Sequence, residues 1–282
     1  MRVLVTGGSG QLARAIRQVW AEHDLILPEE SVLDLSKQEV IHAVVKQVRP
    51  DVLVNCGAFT QVDRCESEAD LALLINGTAV GWLAEACEAQ GARLIQISTD
   101  YVFDGSGTRP YREEDPTSPV SVYGSTKLEG ERQAARCSRH LIARTSWLYD
   151  AWGKNFLNTM LNAAAQGRSL RVVDDQRGAP TTCRALARQL KVAAEGQWNG
   201  LVHATCHGET TWHGFAKAIF EAMGIAVDLS SCTTADYPTP ARRPAYSVLD
   251  GSRRSSLGPD LMPHWQEALA EVIDHPDFPK EA

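Results

Sequence analysis

Short apolar runs alternate with segments of helical periodicity along the first half of the chain. Residues 2–6 form a run rich in β-branched side chains that leads into glycines, and apolar residues then recur at helical spacing from Leu12 to Trp20. Pro50 and Gly91 are expected to end the second and third helices. The pattern predicts strands at 2–6, 24–27, 52–55, 94–98 and 141–143, and helices that open near 11, at a capping box in 36–39, near 69 and at 123.

Repeated strand–helix–strand units require right-handed crossovers and a parallel sheet with helices on both faces. We therefore predict an α/β fold with a doubly wound, Rossmann-like sheet. Beyond about residue 150 the pattern is less regular, and residues rich in Pro, Thr and Arg gather at 179–182 and 237–244. We predict a dinucleotide-binding domain over 1–150, including the helix at 123, and a smaller substrate-binding lobe over 151–282. An exchange of chain between the two parts stays open.

Composition narrows the classes of function. Of the 282 residues 44% are hydrophobic and 22% are charged, which is typical of a globular protein and not of a disordered chain. The net charge of -7, without a basic stripe, argues against a nucleic-acid partner. No run of eighteen apolar residues and no signal-like N-terminus occur, so we expect a cytoplasmic protein without a membrane partner.

A glycine turn follows the first predicted strand and opens the first helix. Gly7 and Gly10 allow the backbone to turn tightly and to approach a pyrophosphate, which the amides at the helix start would bind. Gln11 and Leu12 are the first residues of that helix. Because both flanking elements match the context that a dinucleotide site requires, we favour cofactor binding over a purely structural turn.

Tyr123 and Lys127 lie four residues apart, on one face of a predicted helix. A neighbouring ammonium would stabilise the phenolate, lower the pKa of Tyr123 and make the phenol a usable acid or base. Thr99 ends the fourth predicted strand, at the same edge of the sheet as the glycine turn. Its hydroxyl could donate to a substrate carbonyl beside Tyr123, so the two groups would stabilise an oxygen that gains negative charge.

These residues resemble the extended short-chain dehydrogenases/reductases and, among them, the dTDP-4-dehydrorhamnose reductases. The resemblance extends over nearly the whole chain, in one order, which is more specific than a glycine turn. The matching segments are 54–63, 98–105, 122–131, 144–149, 174–181 and 237–244.

The resemblance implies NADPH- or NADH-dependent reduction of the C4 ketone of dTDP-4-dehydro-6-deoxy-L-mannose to dTDP-L-rhamnose. Tyr123 would protonate the alkoxide, Lys127 would lower the pKa of Tyr123 and hold the nicotinamide ribose, and Thr99 would orient the carbonyl. A carboxylate of Glu29 or Glu30, near the end of the second strand, would bind a ribose 2′-hydroxyl, which favours NADH or the use of both cofactors.

The resemblance also implies binding contacts. The segment around Arg242 and Arg243 would face the nucleotide end of the dTDP-sugar. The implied cofactor contacts are Gly7, Gly10, Gln11, Leu12, Asp34, Leu35, Ala58, Phe59, Thr60, Tyr123 and Lys127, and the implied sugar contacts are Thr99, Asp100, Tyr101 and Trp147.

We expect no metal site. Some members of this family are dimers bridged by Mg²⁺ through glutamates, and those positions hold Ala15 and Arg184 here. Mg²⁺ prefers oxygen ligands, which neither side chain supplies, so a magnesium bridge is not expected. A homodimer of another kind stays open.

Two alternatives to this function stay open. The chain could reduce a different dTDP-4-keto-6-deoxy sugar, or it could be a non-catalytic NADP-binding regulatory subunit like that of methionine adenosyltransferase. Thr99, Tyr123 and Lys127 together argue against the second, because a binding subunit does not need a tuned phenol. The sequence leaves open the exact sugar, the pathway, the preferred cofactor and the oligomeric state.

Overall fold

The structure is a computed structural model that describes residues 1–276 and 278. Its strands, in chain order, are β1 (Arg2–Thr6), β2 (Asp24–Ile26), β3 (Val52–Asn55), β4 (Arg93–Thr99), β5 (His140–Thr145), β6 (Leu148–Tyr149), β7 (Leu170–Val173), β8 (Arg177–Gly178), β9 (Thr181–Thr182), β10 (Gly200–His203), β11 (Thr210–Thr211) and β12 (Leu229–Cys232).

Its α-helices are α1 (Gln11–Val19), α2 (Gln38–Val48), α3 (Val62–Ser67), α4 (Ala69–Leu73), α5 (Ala79–Gln90), α6 (Val122–Ala134), α7 (Phe156–Ala165), α8 (Cys183–Glu195), α9 (Trp212–Met223), α10 (Ser252–Leu257) and α11 (Trp265–Ile273). A π-helical segment, Leu74–Thr78, joins α4 to α5, and 3₁₀ turns cover Asp100–Val102 and Thr234–Asp236.

Six strands form one parallel sheet in the order β10-β5-β4-β3-β1-β2. The five predicted strands are confirmed, and β10 is the strand that the sequence pattern did not predict. Apolar residues of α1 and α8 cover one face of the sheet, and those of α2 and α5 cover the other. The doubly wound, Rossmann-like fold is therefore confirmed.

A third apolar cluster is formed by α7, α9 and α11 and lies in the later part of the chain. The chain does not separate cleanly at residue 150, because α8 packs on the sheet and β10 pairs with β5. This return is the kind of chain exchange that was left open. The division into two domains stays a prediction.

Local contacts correct one predicted helix start. The expected capping box at 36–39 is wrong: α2 begins at Gln38 without a side-chain cap, because both the hydroxyl and the backbone N–H of Ser36 donate to Asp34. The helix ends before Pro50, at Arg49, which adopts φ 50°. The predicted long helix from 69 is confirmed apart from its π-helical interruption, and it ends at Gly91 with φ 68°.

None of the described helices is long and apolar enough to cross a membrane. The seven cysteines are unpaired, and six of them are buried.

Candidate active site

The glycine turn at the end of β1 has no room for larger side chains. Gly7 adopts φ 63°, and a Cβ added there would lie 2.9 Å from the backbone Cα of Gly57. The Gly10 N–H donates to the Gly7 carbonyl (2.8 Å), and α1 starts at the next residue. The first N–H groups of α1 therefore face the carboxyl edge of the sheet, where they could bind the pyrophosphate of a dinucleotide.

Gln11 and Leu12 can reach that pyrophosphate only through their backbone. The Gln11 side-chain amide donates to the Leu148 carbonyl (3.1 Å), and its oxygen accepts from Asn155 (3.3 Å). The Leu12 side chain is buried in the core between α1 and the sheet. Both residues therefore support the turn with their side chains.

Asn76, in the π-helical segment, fixes the loop that follows β3. It accepts from the Phe59 N–H (2.8 Å) and donates to the Phe59 carbonyl (3.1 Å) and to the Thr126 hydroxyl on α6 (3.2 Å). Ala58, Phe59 and Thr60 thus lie in a loop beside the glycine turn. Asn76 holds this loop through the backbone atoms of Phe59. Sequence reasoning missed Asn76, because no local pattern marks a residue that binds a loop 17 positions away.

Asp34 and Leu35 lie in the segment between β2 and α2. Hydrogen bonds from Ser36 and the ammonium of Lys37 (3.1 Å) hold the pKa of Asp34 below its usual value. A Cβ added at Gly57 would lie 2.5 Å from Cδ1 of Leu35, so this side chain borders the glycine turn. Glu29 and Glu30, which were expected to influence cofactor choice, are exposed.

A buried line of polar side chains crosses the strand ends at the site. The Thr6 hydroxyl donates to Asn55, and the Asn55 amide donates to Gln96 (2.7 Å). Gln96 donates in turn to the carbonyl of Ile97 (2.8 Å). This line joins β1, β3 and β4 directly beneath the loops that would hold the cofactor.

Lys127 is buried and reaches the same carbonyl: its Nζ donates to the Ile97 oxygen (2.6 Å). Burial lowers the pKa of Lys127 to about 8, against the opposing effect of Glu131 one turn further along α6. The carboxylate of Glu131 accepts from the Ser98 hydroxyl and from two nitrogens of Arg144 (2.8 and 2.7 Å).

Tyr123 lies in the first turn of α6 and close to Thr99. Burial raises the pKa of Tyr123, and a hydrogen bond with the Thr99 hydroxyl opposes that shift only partly. The expected lowering of this pKa by Lys127 is therefore wrong. The physical reason is that desolvation of the phenol dominates, and the neighbour that opposes it is Thr99 and not Lys127.

The last residue of β4 and the residues that follow it lie beside the phenol of Tyr123. Thr99 accepts from the Tyr101 N–H (3.2 Å) and donates to Asp100 (3.0 Å). Burial raises the pKa of Asp100 to about 6, with hydrogen bonds from Ser247 and Thr99 in opposition. The Tyr101 ring meets the Tyr123 ring edge-on, with centroids 5.5 Å apart.

Trp147 follows β5 and adopts φ 48°, a left-handed conformation that is rare for a large side chain. Its half-buried indole stacks on Trp212 with centroids 3.6 Å apart and planes inclined by 8°. A Cβ added at Gly178 would lie 2.4 Å from Cε2 of Trp147. The indole is therefore fixed by close neighbours, which would suit a rigid wall for a sugar.

Arg242 and Arg243 are adjacent in sequence but have different environments in the structure. Arg242 is exposed, as a contact to the nucleotide end of a substrate requires. Arg243 instead forms a bidentate ion pair with Asp63 on α3 (2.8 and 3.1 Å). Sequence reasoning missed Asp63, because its partner lies 180 positions away.

The positions linked to a magnesium bridge offer no oxygen ligand. Ala15 is buried in the core, and Arg184 contacts the Gln18 side chain (3.2 Å). Residues that could together hold a cation do occur at the amino end of the sheet, namely Glu22, His23 and Glu195. There Glu22 forms an ion pair with Lys191. The chemistry of positions 15 and 184 therefore does not fit that bridge, and the expectation of no metal site stays a prediction.

Comparisons with known proteins identify relatives of nearly the whole chain. The dTDP-4-dehydrorhamnose reductase of Burkholderia thailandensis is 40% identical over 292 residues, which cover 97% of this chain and 98% of that protein. The crystal structure of a dTDP-4-dehydrorhamnose reductase from Clostridium acetobutylicum is 40% identical, covers 97% of this chain and 99% of its own, and superposes with a TM-score of 0.94.

A third comparison concerns the cofactor. The dTDP-4-dehydrorhamnose reductase of Bacillus anthracis, solved in complex with NADP, is 33% identical, covers 96% of this chain and 98% of its own, and has a TM-score of 0.93. The family described as RmlD substrate binding domain matches residues 1–277. The chain therefore belongs to the RmlD substrate binding domain family.

Proposed function

We propose that this protein is an NAD(P)H-dependent reductase that converts dTDP-4-dehydro-6-deoxy-L-mannose to dTDP-L-rhamnose. The observation that carries the proposal is the convergence of Thr99, Tyr123 and buried Lys127 at the edge of the sheet that holds the glycine turn. The names of relatives at about 40% identity support the same reaction. When bound, NAD(P)H supplies the hydride, and the NADP complex of the Bacillus anthracis relative supports this choice of cofactor.

Tyr123 is suited to act as the proton donor. Because burial raises the pKa of Tyr123, the phenol stays protonated at neutral pH and can give its proton to the O4 alkoxide as hydride reaches C4. The phenolate that remains would recover a proton from solvent. The Thr99 hydroxyl would bind the same oxygen and orient the ketone.

The remaining roles follow from position and charge. Lys127 would hold the nicotinamide ribose and place a positive charge near the developing alkoxide. Asp100, Tyr101 and Trp147 would line the sugar, and the exposed Arg242 would meet the diphosphate, for which a guanidinium is a suitable donor.

The cofactor contacts divide among three segments. The first N–H groups of α1, at Gln11 and Leu12 beside Gly7 and Gly10, would bind the pyrophosphate. The other proposed contacts are Asp34 and Leu35 on the adenine side and Ala58, Phe59 and Thr60 on the ribose side. A cytoplasmic location and a homodimer stay predictions.

The test is NADPH or NADH oxidation by the purified protein with the proposed substrate, dTDP-4-dehydro-6-deoxy-L-mannose. Tyr123→Phe should lower the rate by roughly 10²–10⁴-fold and leave the cofactor dissociation constant unchanged, because the variant loses only the transferable proton. Tyr246→Phe is the matched control, since that hydroxyl bonds to the exposed Glu209 (2.9 Å). Cofactor oxidation no faster than background would refute the proposed reaction, and a fully active Tyr123→Phe would refute the role of the phenol.

A non-catalytic binding subunit is poorly supported by the same geometry. Such a protein would need the glycine turn but would not need a phenol that burial keeps protonated, or a buried lysine one turn further along the same helix. Rapid cofactor oxidation in the assay would separate the two alternatives directly.

A further inference from the structure

Helix α3 is bonded to two parts of the candidate site at once. Asp63 accepts from the N–H of Ala241 (3.1 Å) and from both terminal nitrogens of Arg243. Glu66 accepts from the N–H of Val122 (2.9 Å), the first residue of α6. Since the two carboxylates are three residues apart, they lie on neighbouring positions of one helix surface. Ala241 and Arg243 belong to residues 237–244, which we call the strap.

The strap is stiffened by the same arginine. Arg243 donates to the Thr239 hydroxyl and to the Ala241 carbonyl (3.0 Å), and the Thr239 hydroxyl donates to that carbonyl as well (3.0 Å). The guanidinium is therefore shared between α3 and the strap, and its direction is set by a fork of hydrogen bonds.

Arg243 also extends the connection to the tyrosines of the site. Burial alone would lower the pKa of Arg243, but hydrogen bonds to Asp63 and the nearby Tyr101 phenol outweigh burial and raise it. Tyr101 in turn packs edge-on against Tyr123. The strap thus lies near Tyr101, which packs against the proposed proton donor, while Glu66 contacts the helix of Tyr123 directly.

The ion pair between Asp63 and Arg243 contributes little to the stability of the fold. The side chains of Asp63 and Arg243 are 41% and 22% exposed, and ion pairs open to water contribute only about 0–1 kcal/mol to stability. The bidentate contact instead fixes the direction and the distance between two segments that are far apart in sequence. Its loss should therefore change position more than stability.

We propose, on the basis of the proposed reductase function, that Asp63 and Glu66 are positioning residues. Helix α3 holds the strap and the start of α6 at a fixed separation, and this separation sets Tyr101 and Tyr123 over the ketone. Neither carboxylate touches the reacting atoms.

The experiment compares Asp63→Asn with the wild-type protein. This variant keeps the size and an oxygen acceptor but loses the charge that holds the guanidinium fork. We expect kcat for the dTDP-sugar to fall by roughly 10–10²-fold, because a small misplacement of catalytic groups is costly. The NADPH dissociation constant should stay within about twofold, and Tm should change by only a few degrees. Arg243→Lys keeps the charge but loses the fork, so it should reproduce the loss.

Asp70→Asn is the matched control. Asp70 is exposed on the adjacent helix α4, so the same chemical change should leave kcat unaltered. Values of kcat and KM for Asp63→Asn and Arg243→Lys within twofold of wild type would overturn the proposal. A double variant with Glu66→Gln completes the test: losses smaller than the product of the single losses support one shared connector, and full independence contradicts it.

Amide hydrogen exchange supplies a readout that does not depend on turnover. Asp63→Asn should speed exchange in the strap, where Ala241 N–H is bonded, and also at 121–125, where α6 begins. Unchanged exchange at 121–125 would overturn the connection. A wild-type protein that fails to oxidise cofactor would refute the proposed function alone, since the exchange measurement would still decide whether α3 links the two segments.

Discussion

Gly124 gives a direct test of how α6 places the Tyr123 phenol. A Cβ added at Gly124 would lie 2.2 Å from the carbonyl oxygen of Tyr101. That oxygen belongs to the backbone and cannot rotate away, so α6 would have to move by roughly 1 Å to restore an ordinary contact. Because Tyr123 is the preceding residue, the phenol would move with the helix. A misplacement of this size costs about 10²-fold in rate, which is the loss in kcat that we expect for Gly124→Ala.

The stability of Gly124→Ala should change much less than its activity. Overpacking costs about 1–3 kcal/mol, whereas alanine in place of glycine stabilises a helix by about 1 kcal/mol. The measurements are kcat at saturating dTDP-sugar and the free energy of unfolding in urea. Gly81→Ala on α5 is the control, because the nearest atom to the added Cβ would be the flexible end of Gln133, at 2.8 Å, and no backbone atom would be close. Wild-type kcat in Gly124→Ala would refute the reasoning that a backbone contact fixes α6.

Two further predictions concern the charges behind the phenol. Activity should fall as pH rises through about 8, because burial lowers the pKa of Lys127 to that value and the ammonium loses its proton there; a rate–pH profile that stays flat to about pH 10 would contradict this role, since an unperturbed lysine titrates there. Glu131→Gln should lower the free energy of unfolding by about 3–5 kcal/mol, because it leaves the buried guanidinium of Arg144 without its charged partner. A loss below about 1 kcal/mol in urea unfolding would contradict that account.

The main sheet and α6 could be predicted because their signals are local. β1, β3 and β4 are apolar runs with clear boundaries, and residues that follow such strands meet at one edge of a parallel sheet. That rule alone brings Thr99 and the glycine turn together. β10 escaped prediction because its sequence, Gly200–His203, begins with glycine and ends with histidine, so that only two apolar residues lie between them.

Contacts between distant segments account for what the sequence did not reveal. Asn76 and Asp63 act on loops that fold against them, and no periodicity marks such residues. The pKa of Tyr123 was expected to fall because a nearby charge can be inferred from spacing, whereas desolvation depends on everything packed around the phenol. The two arginines, Arg242 and Arg243, are adjacent in sequence, and only the fold shows which of them is engaged.

The return of the chain to β10 limits how substrate specificity could be transferred between relatives. A graft joined at residue 150 would replace α8 and β10 together with the lobe, so the indole of the host's Trp20, which donates to the Ala187 carbonyl (2.8 Å), would have to find its acceptor on a foreign helix. It would also replace the side chains of β10, the edge strand that pairs with β5, by those of the donor protein. A working chimera should instead import 151–182 and 204–276 as two separate inserts and retain the host's own 183–203.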